Sequence, residues 1–181
     1  RLPAIVQAIS EKRAKHAYEY HANAIRELRI QALESEGREH TVVTRNGYGA
    51  LVLNSDRVMF IDIDVPEGAR FLGFGKSAAQ KKEEAVARGE AHVKRNPSLG
   101  FRIYETAGGL RLAALDKAYE PGGAEATAVM EALGSDPLYV RLCRVQKCFR
   151  ARLTPKPFRI GMSNPPFRFP EHPEAAPYRD W

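Results

Sequence analysis

Two aspartates, Asp62 and Asp64, stand one residue apart at the end of the apolar run Val58–Val65. Side chains of a β-strand alternate between its faces, so both carboxylates would leave one face, about 6.5–7 Å apart along the backbone. Two carboxylates side by side repel each other unless a cation neutralises them. Hard divalent cations prefer such oxygen ligands, so the pattern predicts a Mg²⁺ or Mn²⁺ site. A solvated strand end before Pro66 would explain the same residues without a metal.

A second chemical feature is a long basic segment towards the C-terminus. Between Pro137 and Pro170 there is no acidic residue, and the eight cations of this segment exceed the chain's net charge of +6. A field of one sign predicts a polyanionic partner, either nucleic acid or a nucleoside triphosphate, whereas solubilising surfaces usually mix signs. The cations are Arg141, Arg144, Lys147, Arg150, Arg152, Lys156, Arg159 and Arg168.

Length and composition bound the remaining possibilities. A chain of 181 residues with 44% hydrophobic residues can bury the core of one domain. We expect a single α+β domain over 1–154, including a long N-terminal helix, and a proline-rich extended segment over 155–181. No apolar run approaches the ~18 residues of a transmembrane helix, and no signal-peptide pattern opens the chain. These features predict a cytoplasmic protein without a membrane partner.

Two hairpins and several helices would position the chemical residues. Apolar residues at spacings of three and four predict the long helix over 4–36, which Gly37 would end. A hairpin over 41–53, with its turn at Asn46-Gly47, would lead into the aspartate strand. The further predictions are a helix over 77–95 with a capping box, a hairpin over 99–115, a helix over 124–133, a helix over 136–146 with Asp136 as N-cap, and a strand over 149–153.

This order of elements resembles a known family. The segment Phe60–Asp64 resembles the hhhDhD motif of the archaeo-eukaryotic primase superfamily, which includes primase-polymerases and the polymerase domain of bacterial end-joining ligases. About fifty residues downstream, Glu105–Leu112 resembles the next hairpin of that family in its turn, its spacing and its flanking apolar strand. The resemblance covers roughly residues 42–116, and a weaker one runs over 136–156.

The resemblance implies an RRM-like, mainly antiparallel sheet with flanking helices, and metal-dependent nucleotidyl transfer on its face. Asp62 and Asp64 would be catalytic and would hold Mg²⁺ or Mn²⁺, and Arg111 would contact the triphosphate. Paired carboxylates with metals stabilise an in-line phosphoryl displacement, and arginine neutralises the leaving pyrophosphate. The residues expected to bind nucleotide or nucleic acid are Thr106, Gly108, Gly109, Arg141, Arg144, Arg150, Arg152 and Lys156.

Three departures from the family pattern bear on the activity. Arg111 stands where the family has histidine, Gly109 stands where it has serine, and residues 149–160 hold no acid that could be a third metal ligand. Asp116 and Asp136 are the remaining candidates for that ligand, although an N-cap role also explains Asp136.

Three functions therefore stay open. The first is a primase-like nucleotidyltransferase of DNA replication or repair, using nucleic acid and nucleoside triphosphates. The second is a catalytically degenerate nucleic-acid-binding module of the same fold, and the third is a globular domain with a basic protein-interaction surface. For the first, we expect Asp62→Asn and Asp64→Asn to abolish metal binding and to leave folding unchanged or stabilised, because repulsion between the carboxylates is relieved.

Overall fold

The computed structural model describes residues 27–65 and 76–163, which form two antiparallel sheets and three α-helices. Their contacts divide them into two units. Unit 1 comprises the described residues up to Arg57 and from Val145 onward, and unit 2 comprises Val58–Arg144. The predicted α+β class is confirmed, and the single domain over 1–154 stays a prediction. Within the described ranges, no helix is both long and apolar enough to cross a membrane.

Unit 1 contains a four-stranded sheet in which every neighbouring pair is antiparallel. Its core includes Val42, Cys148 and Phe149, which are fully buried. The strands, in their order across the sheet, are β1 (Leu28–Ser35), β2 (Arg38–Arg45), β3 (Leu51–Ser55) and β7 (Phe149–Arg152).

The helix predicted over 4–36 is wrong for its last turns, and residues 1–26 lie outside the described ranges. Leu28–Ser35 is a strand that pairs with β2 through a two-residue turn. Glu36 and Gly37 both adopt positive φ angles, 55° and 71°. These are the angles of a type I′ hairpin turn, so the glycine reverses the chain instead of ending a helix. Pairing with β2 outweighs the weak helical spacing of the apolar residues, because tertiary contacts override propensity.

The predicted hairpin between β2 and β3 is confirmed, but its loop is longer than a tight Asn-Gly turn. The loop runs over 46–50, and the Asn46 side chain accepts hydrogen bonds from the backbone N–H groups of Tyr48 and Ala50, both at 3.0 Å. The positive φ angle of 82° belongs to Gly49, not Gly47. An asparagine that bonds its own loop in this way fixes the position of Tyr48.

The end of unit 1 is only partly extended. After β7, Pro157–Ile160 forms a short 3₁₀ helix, with proline at a position where its missing N–H does no harm. This turn departs from the predicted extended course of 155–181. Residues 164–181 lie outside the described ranges.

Unit 2 contains a three-stranded sheet, whose last strand in the chain lies between the other two, together with two whole helices and all but the last two residues of a third. The predicted aspartate strand, hairpin and helices are all present, and residues 66–75 between the first strand and helix lie outside the described ranges. The elements are β4 (Phe60–Asp64), α1 (Ala78–Arg95), β5 (Phe101–Thr106), β6 (Gly109–Ala114), α2 (Ala124–Ala132) and α3 (Pro137–Gln146).

Both predicted helix caps are confirmed. At the start of α1, the Ser77 hydroxyl accepts from the backbone N–H of Gln80 at 3.2 Å, and the Gln80 side chain accepts from the backbone N–H of Ser77 at 2.8 Å. This reciprocal pair is a capping box. At the start of α3, the Asp136 carboxylate accepts from the N–H groups of Leu138 and Tyr139, at 3.1 and 3.3 Å.

Candidate functional site

Three chemically different side chains form one row across the sheet of unit 2. Asp62 on β4 lies directly opposite Arg111 on β6, and Arg111 lies opposite Tyr104 on β5. Partners in register share a face of the sheet, so a carboxylate, a guanidinium and an aromatic ring follow one another across three strands. The next row on this face runs from Asp64 to Thr106.

The opposite face of the same sheet is covered by α1. It carries the apolar residues Ile61 and Leu112, which are buried. Gly89 of α1 faces Leu112, since a Cβ added to Gly89 would lie 3.8 Å from Leu112 Cδ2. Lys82 of α1 forms an ion pair with Glu105 of β5 and lowers the pKa of that carboxyl group. The helix therefore leaves the row of Asp62, Arg111 and Tyr104 on the other face.

The Asp62 carboxylate is held by the guanidinium of Arg111. Arg111 Nη2 and Nε donate to the same oxygen, Asp62 Oδ1, at 2.6 and 3.2 Å. The two side chains are 26% and 15% exposed, so the pair is partly desolvated and still reachable by a ligand. In this structure a protein cation neutralises the carboxylate for which the sequence predicted a metal.

This ion pair changes the expectation for folding of the neutral variant. Asp62→Asn removes the charge that pairs with a partly buried guanidinium, so it should lower the free energy of unfolding by about 1–2 kcal/mol and not raise it. The repulsion between Asp62 and Asp64 that the sequence predicts is opposed by Arg111. Asp64 lies at the exposed end of β4.

Gly109 has a backbone reason to be glycine. Its φ angle is +154°, and an added Cβ would lie inside van der Waals contact with the Ile63 carbonyl and 2.8 Å from the Val65 nitrogen. The neighbouring Gly108 carbonyl accepts a hydrogen bond from the Val65 N–H at 2.8 Å. The glycine that replaces the family's serine therefore lets β6 approach β4 closely beside Asp64.

Neither candidate for a third metal ligand joins Asp62 and Asp64. The Asp136 backbone N–H donates to the Asp62 carbonyl at 2.7 Å, but its carboxylate caps α3. Asp116 accepts from the Tyr119 hydroxyl at 2.8 Å, and burial together with this carboxylate raises the pKa of Tyr119. In the described parts of the chain, no three His, Cys, Asp or Glu side chains are grouped to hold a metal ion.

The basic residues predicted to bind nucleic acid are divided between the units. Arg141 and Arg144 are exposed on α3 in unit 2. Arg152 is exposed at the end of β7 in unit 1, and Lys156 lies just before the 3₁₀ helix of that unit. Arg150, by contrast, forms an ion pair with Glu27 at 2.5 Å, and the two side chains are only 15% and 2% exposed.

Arg150 belongs to a buried polar network of unit 1. Glu27 also accepts from the Thr44 hydroxyl at 2.5 Å, and Thr44 accepts from the Asn54 amide at 2.9 Å. The same amide donates to the Val42 carbonyl at 3.1 Å. A buried carboxylate paired in this way joins β7 to β2 and β3, so Arg150 has a structural role beside the predicted one.

Sequence reasoning missed three exposed aromatic residues. Tyr104, Tyr48 and Phe158 are 47%, 42% and 60% exposed. Tyr104 had a signal in the sequence, since the facing strands of the hairpin over 99–115 align it with Arg111. Tyr48 and Phe158 had none, because the contact of Tyr48 with Lys156, which places both rings near one cation, joins segments distant in sequence.

The chain matches no protein-family model, no curated protein and no solved structure at a significant level.

Proposed function

We propose that the chain is a divergent member of the primase superfamily, whose RRM-like sheet in unit 2 binds a divalent cation and a nucleoside triphosphate for nucleotidyl transfer to nucleic acid. One observation carries this proposal: Asp62, Arg111 and Tyr104 form a single row on the face that α1 does not cover, with Asp64 in the next row.

The donor atoms on this face fit the cation in kind. Mg²⁺ and Mn²⁺ take carboxylate oxygens, often one or two from the protein with the remainder from water and phosphate. Asp62 is 26% exposed at its side chain and Asp64 lies at the exposed end of its strand. When bound, the cation would supply neutralisation of the charge that develops on the transferred phosphoryl group.

The Asp62–Arg111 pair would exchange partners when substrate binds. Without ligand, the guanidinium neutralises the carboxylate at 2.6 Å. In the complex, Arg111 would turn to the triphosphate oxygens, and Asp62 with Asp64 would hold the cation. The cation would replace Arg111 as the partner of Asp62, and the triphosphate would replace Asp62 as the partner of Arg111. Because binding of one ligand frees the group that binds the other, cation and nucleotide should bind cooperatively.

Tyr104 would hold the base of the nucleotide. Its ring is 47% exposed and lies beside Arg111 in the row. Base stacking on an exposed aromatic ring is worth about 1–3 kcal/mol and tolerates any base. The row would therefore place phosphate and base on adjacent residues of one flat face.

The test is a calorimetric titration of Mn²⁺ with and without a nucleoside triphosphate, on the wild type, Asp64→Asn and Arg111→Met. We expect Asp64→Asn to weaken Mn²⁺ binding at least tenfold, and the nucleotide to raise Mn²⁺ affinity in the wild type. Arg111→Met should change the two affinities in opposite directions. It should bind Mn²⁺ alone more tightly, because Asp62 is released, and bind the nucleotide more weakly. A primer-extension assay with the same variants would then test transfer itself.

The controls change the same charges elsewhere in unit 2. Glu90→Gln and Lys94→Met alter exposed residues of α1, which packs on the opposite face. Both should bind cation and nucleotide as the wild type does. Equal loss in the controls, or Mn²⁺ binding that Asp64→Asn does not change, would refute a metal site on this face.

A second candidate function is a nucleic-acid-binding module without catalysis. It is favoured by the use of Asp136 as a helix cap and of Asp116 as an acceptor for Tyr119, which leaves the aspartate pair without a third acid among the described residues. For that function, Mn²⁺ and nucleotide binding should be absent while binding of nucleic acid persists with a steep salt dependence.

A further inference from the structure

We propose that unit 1 carries a binding site for single-stranded nucleic acid, formed by Tyr48, Lys156 and Phe158. Lys156 Nζ lies 5.4 Å from the centroid of the Tyr48 ring and 5.6 Å from that of the Phe158 ring. Both rings therefore lie near the same cation, and they are 42% and 60% exposed. This site goes beyond the proposed metal and nucleotide site of unit 2 and does not depend on it.

The backbone on both sides of this cluster is fixed. The loop over 46–50, which carries Tyr48, is held by the Asn46 side chain. The segment after β7 is held to β3, since the Leu153 N–H donates to the Leu51 carbonyl at 2.8 Å and the Leu51 N–H donates to Thr154 Oγ1 at 2.9 Å. Both rings are therefore presented by ordered backbone, which lowers the entropic cost of binding.

Pro157 fixes the position of Phe158 further. The proline is buried at the start of the 3₁₀ helix, while Phe158 directly after it is exposed. Burial of the first residue turns the second towards solvent. An aromatic ring that is exposed from a short, anchored helix has little packing role of its own.

The surroundings of the cluster are positive. Among the described residues 45–54 and 150–163 there is no acidic residue, and Glu27, which reaches this end of the sheet, is buried and paired with Arg150. The exposed cations there include Arg152 and Arg159. The other acidic residues that the structure describes in unit 1 lie at the other end, around the β1–β2 turn and the end of β3: Glu34, Glu36, Glu39 and Asp56.

This combination selects for one class of partner. A positive surface attracts any polyanion, but two exposed rings need flat, unpaired bases on which to stack. Duplex DNA offers phosphates without accessible base faces, and a lipid surface offers phosphates without rings. Single-stranded DNA or RNA supplies both, with phosphates beside Arg152, Lys156 and Arg159 and bases on Tyr48 and Phe158.

The experiment is fluorescence anisotropy of a labelled oligothymidylate of about twelve nucleotides, titrated with the whole protein in EDTA and without nucleotide. We expect single-strand binding that weakens steeply with salt, and a loss of roughly tenfold in affinity for Tyr48→Ala and for Phe158→Ala. Tyr48→Phe keeps the ring and should keep the affinity. Lys156→Gln should weaken binding and reduce the salt dependence by about one charge.

Matched controls lie at the opposite side of the same unit. Leu33→Ala removes a 49% exposed apolar side chain from β1, and Arg38→Gln removes one exposed charge from β2. Both should bind the strand as the wild type does, and thermal unfolding of every variant identifies any loss of fold.

Three results would overturn the proposal. They are no strand binding, equal affinity for the duplex of the same sequence, and affinity that Tyr48→Ala and Phe158→Ala leave unchanged. Self-association that Phe158→Ala abolishes, in a protein that binds no strand, would assign the surface to protein contact instead. Because EDTA removes divalent cations, none of these outcomes depends on the metal site of unit 2.

Discussion

Gly109 occupies a position where the backbone of one strand meets the backbone of the next. We predict that Gly109→Ala lowers the free energy of unfolding by about 3 kcal/mol or more, because the new Cβ would clash with the Ile63 carbonyl at a positive φ angle. Urea denaturation checks this. Gly100→Ala is the control, since a Cβ there meets nothing within 4 Å, and it should change stability by no more than about 0.5 kcal/mol. Equal stability of the two variants would contradict the close approach of β6 to β4.

Cys148 should make the stability of unit 1 depend on pH in the alkaline range. Burial raises the pKa of its thiol from 9.0 to about 11. The folded state therefore binds more protons than the unfolded state between these values, so the stabilising effect is complete below pH 9 and is lost as pH rises towards 11.

The measurement is chemical denaturation of the wild type and of Cys148→Ala across this interval. The free energy of unfolding should fall with pH more steeply in the wild type than in Cys148→Ala, which retains the other titrating groups. Parallel pH profiles for the two proteins would show that the thiol has the same pKa folded and unfolded.

At the scale of single elements, the capping box stabilises the N-terminus of α1. Ser77→Ala removes the side-chain acceptor of the Gln80 N–H and should cost about 1 kcal/mol of stability. Ser98→Ala, at an exposed turn after the same helix, should cost little. Thermal unfolding measures both, and a similar loss for the two serines would mean that the cap adds nothing to the helix.

Elements with strong local signals could be predicted from the sequence. The caps at Ser77 and Asp136, the hairpin over 99–115 and the alternation of Phe60–Asp64 each depend on neighbouring residues only, and each is present. The strand β1 could not be predicted, because its sequence has helical spacing and only its pairing with β2 makes it a strand. Local propensity is weak where a partner elsewhere in the chain decides the structure.

The features of the candidate site that depend on neighbouring residues could likewise be predicted from the sequence, and those that depend on pairing of distant strands could not. The two aspartates on one face follow from strand alternation, and Arg111 lies on a strand that pairs with theirs. The direct contact between Asp62 and Arg111 depends on the register of β4 against β6, which the sequence leaves undefined. The contact of Tyr48 with Lys156 could not be predicted from the sequence, since the two residues come together only in the folded sheet.

Across the whole molecule, charge follows the division into units. The basic segment that gives the chain its net charge of +6 contributes Arg141 and Arg144 to unit 2, and Arg152, Lys156 and Arg159 to unit 1. The cations that the sequence places in one segment thus belong to two units. The proposed functions use cations of both units: Arg111 for the triphosphate in unit 2, and Arg152, Lys156 and Arg159 for strand binding in unit 1.

Unit 1 is formed by two segments of the chain, one before and one after unit 2, so its two parts are synthesised at different times. Glu27 is synthesised before its partner Arg150, which lies 123 positions later in the chain, and β3 is synthesised before β7, with which it pairs. At about 5–20 residues per second, a ribosome takes roughly 6–25 s to supply them. During that interval all of Val58–Arg144 is synthesised, so unit 2 can fold while Glu27 still lacks its cationic partner and β3 still has an open edge. A nascent chain of this protein therefore exposes its β2–β3 hairpin to chaperones before it exposes anything of its sheet in unit 2.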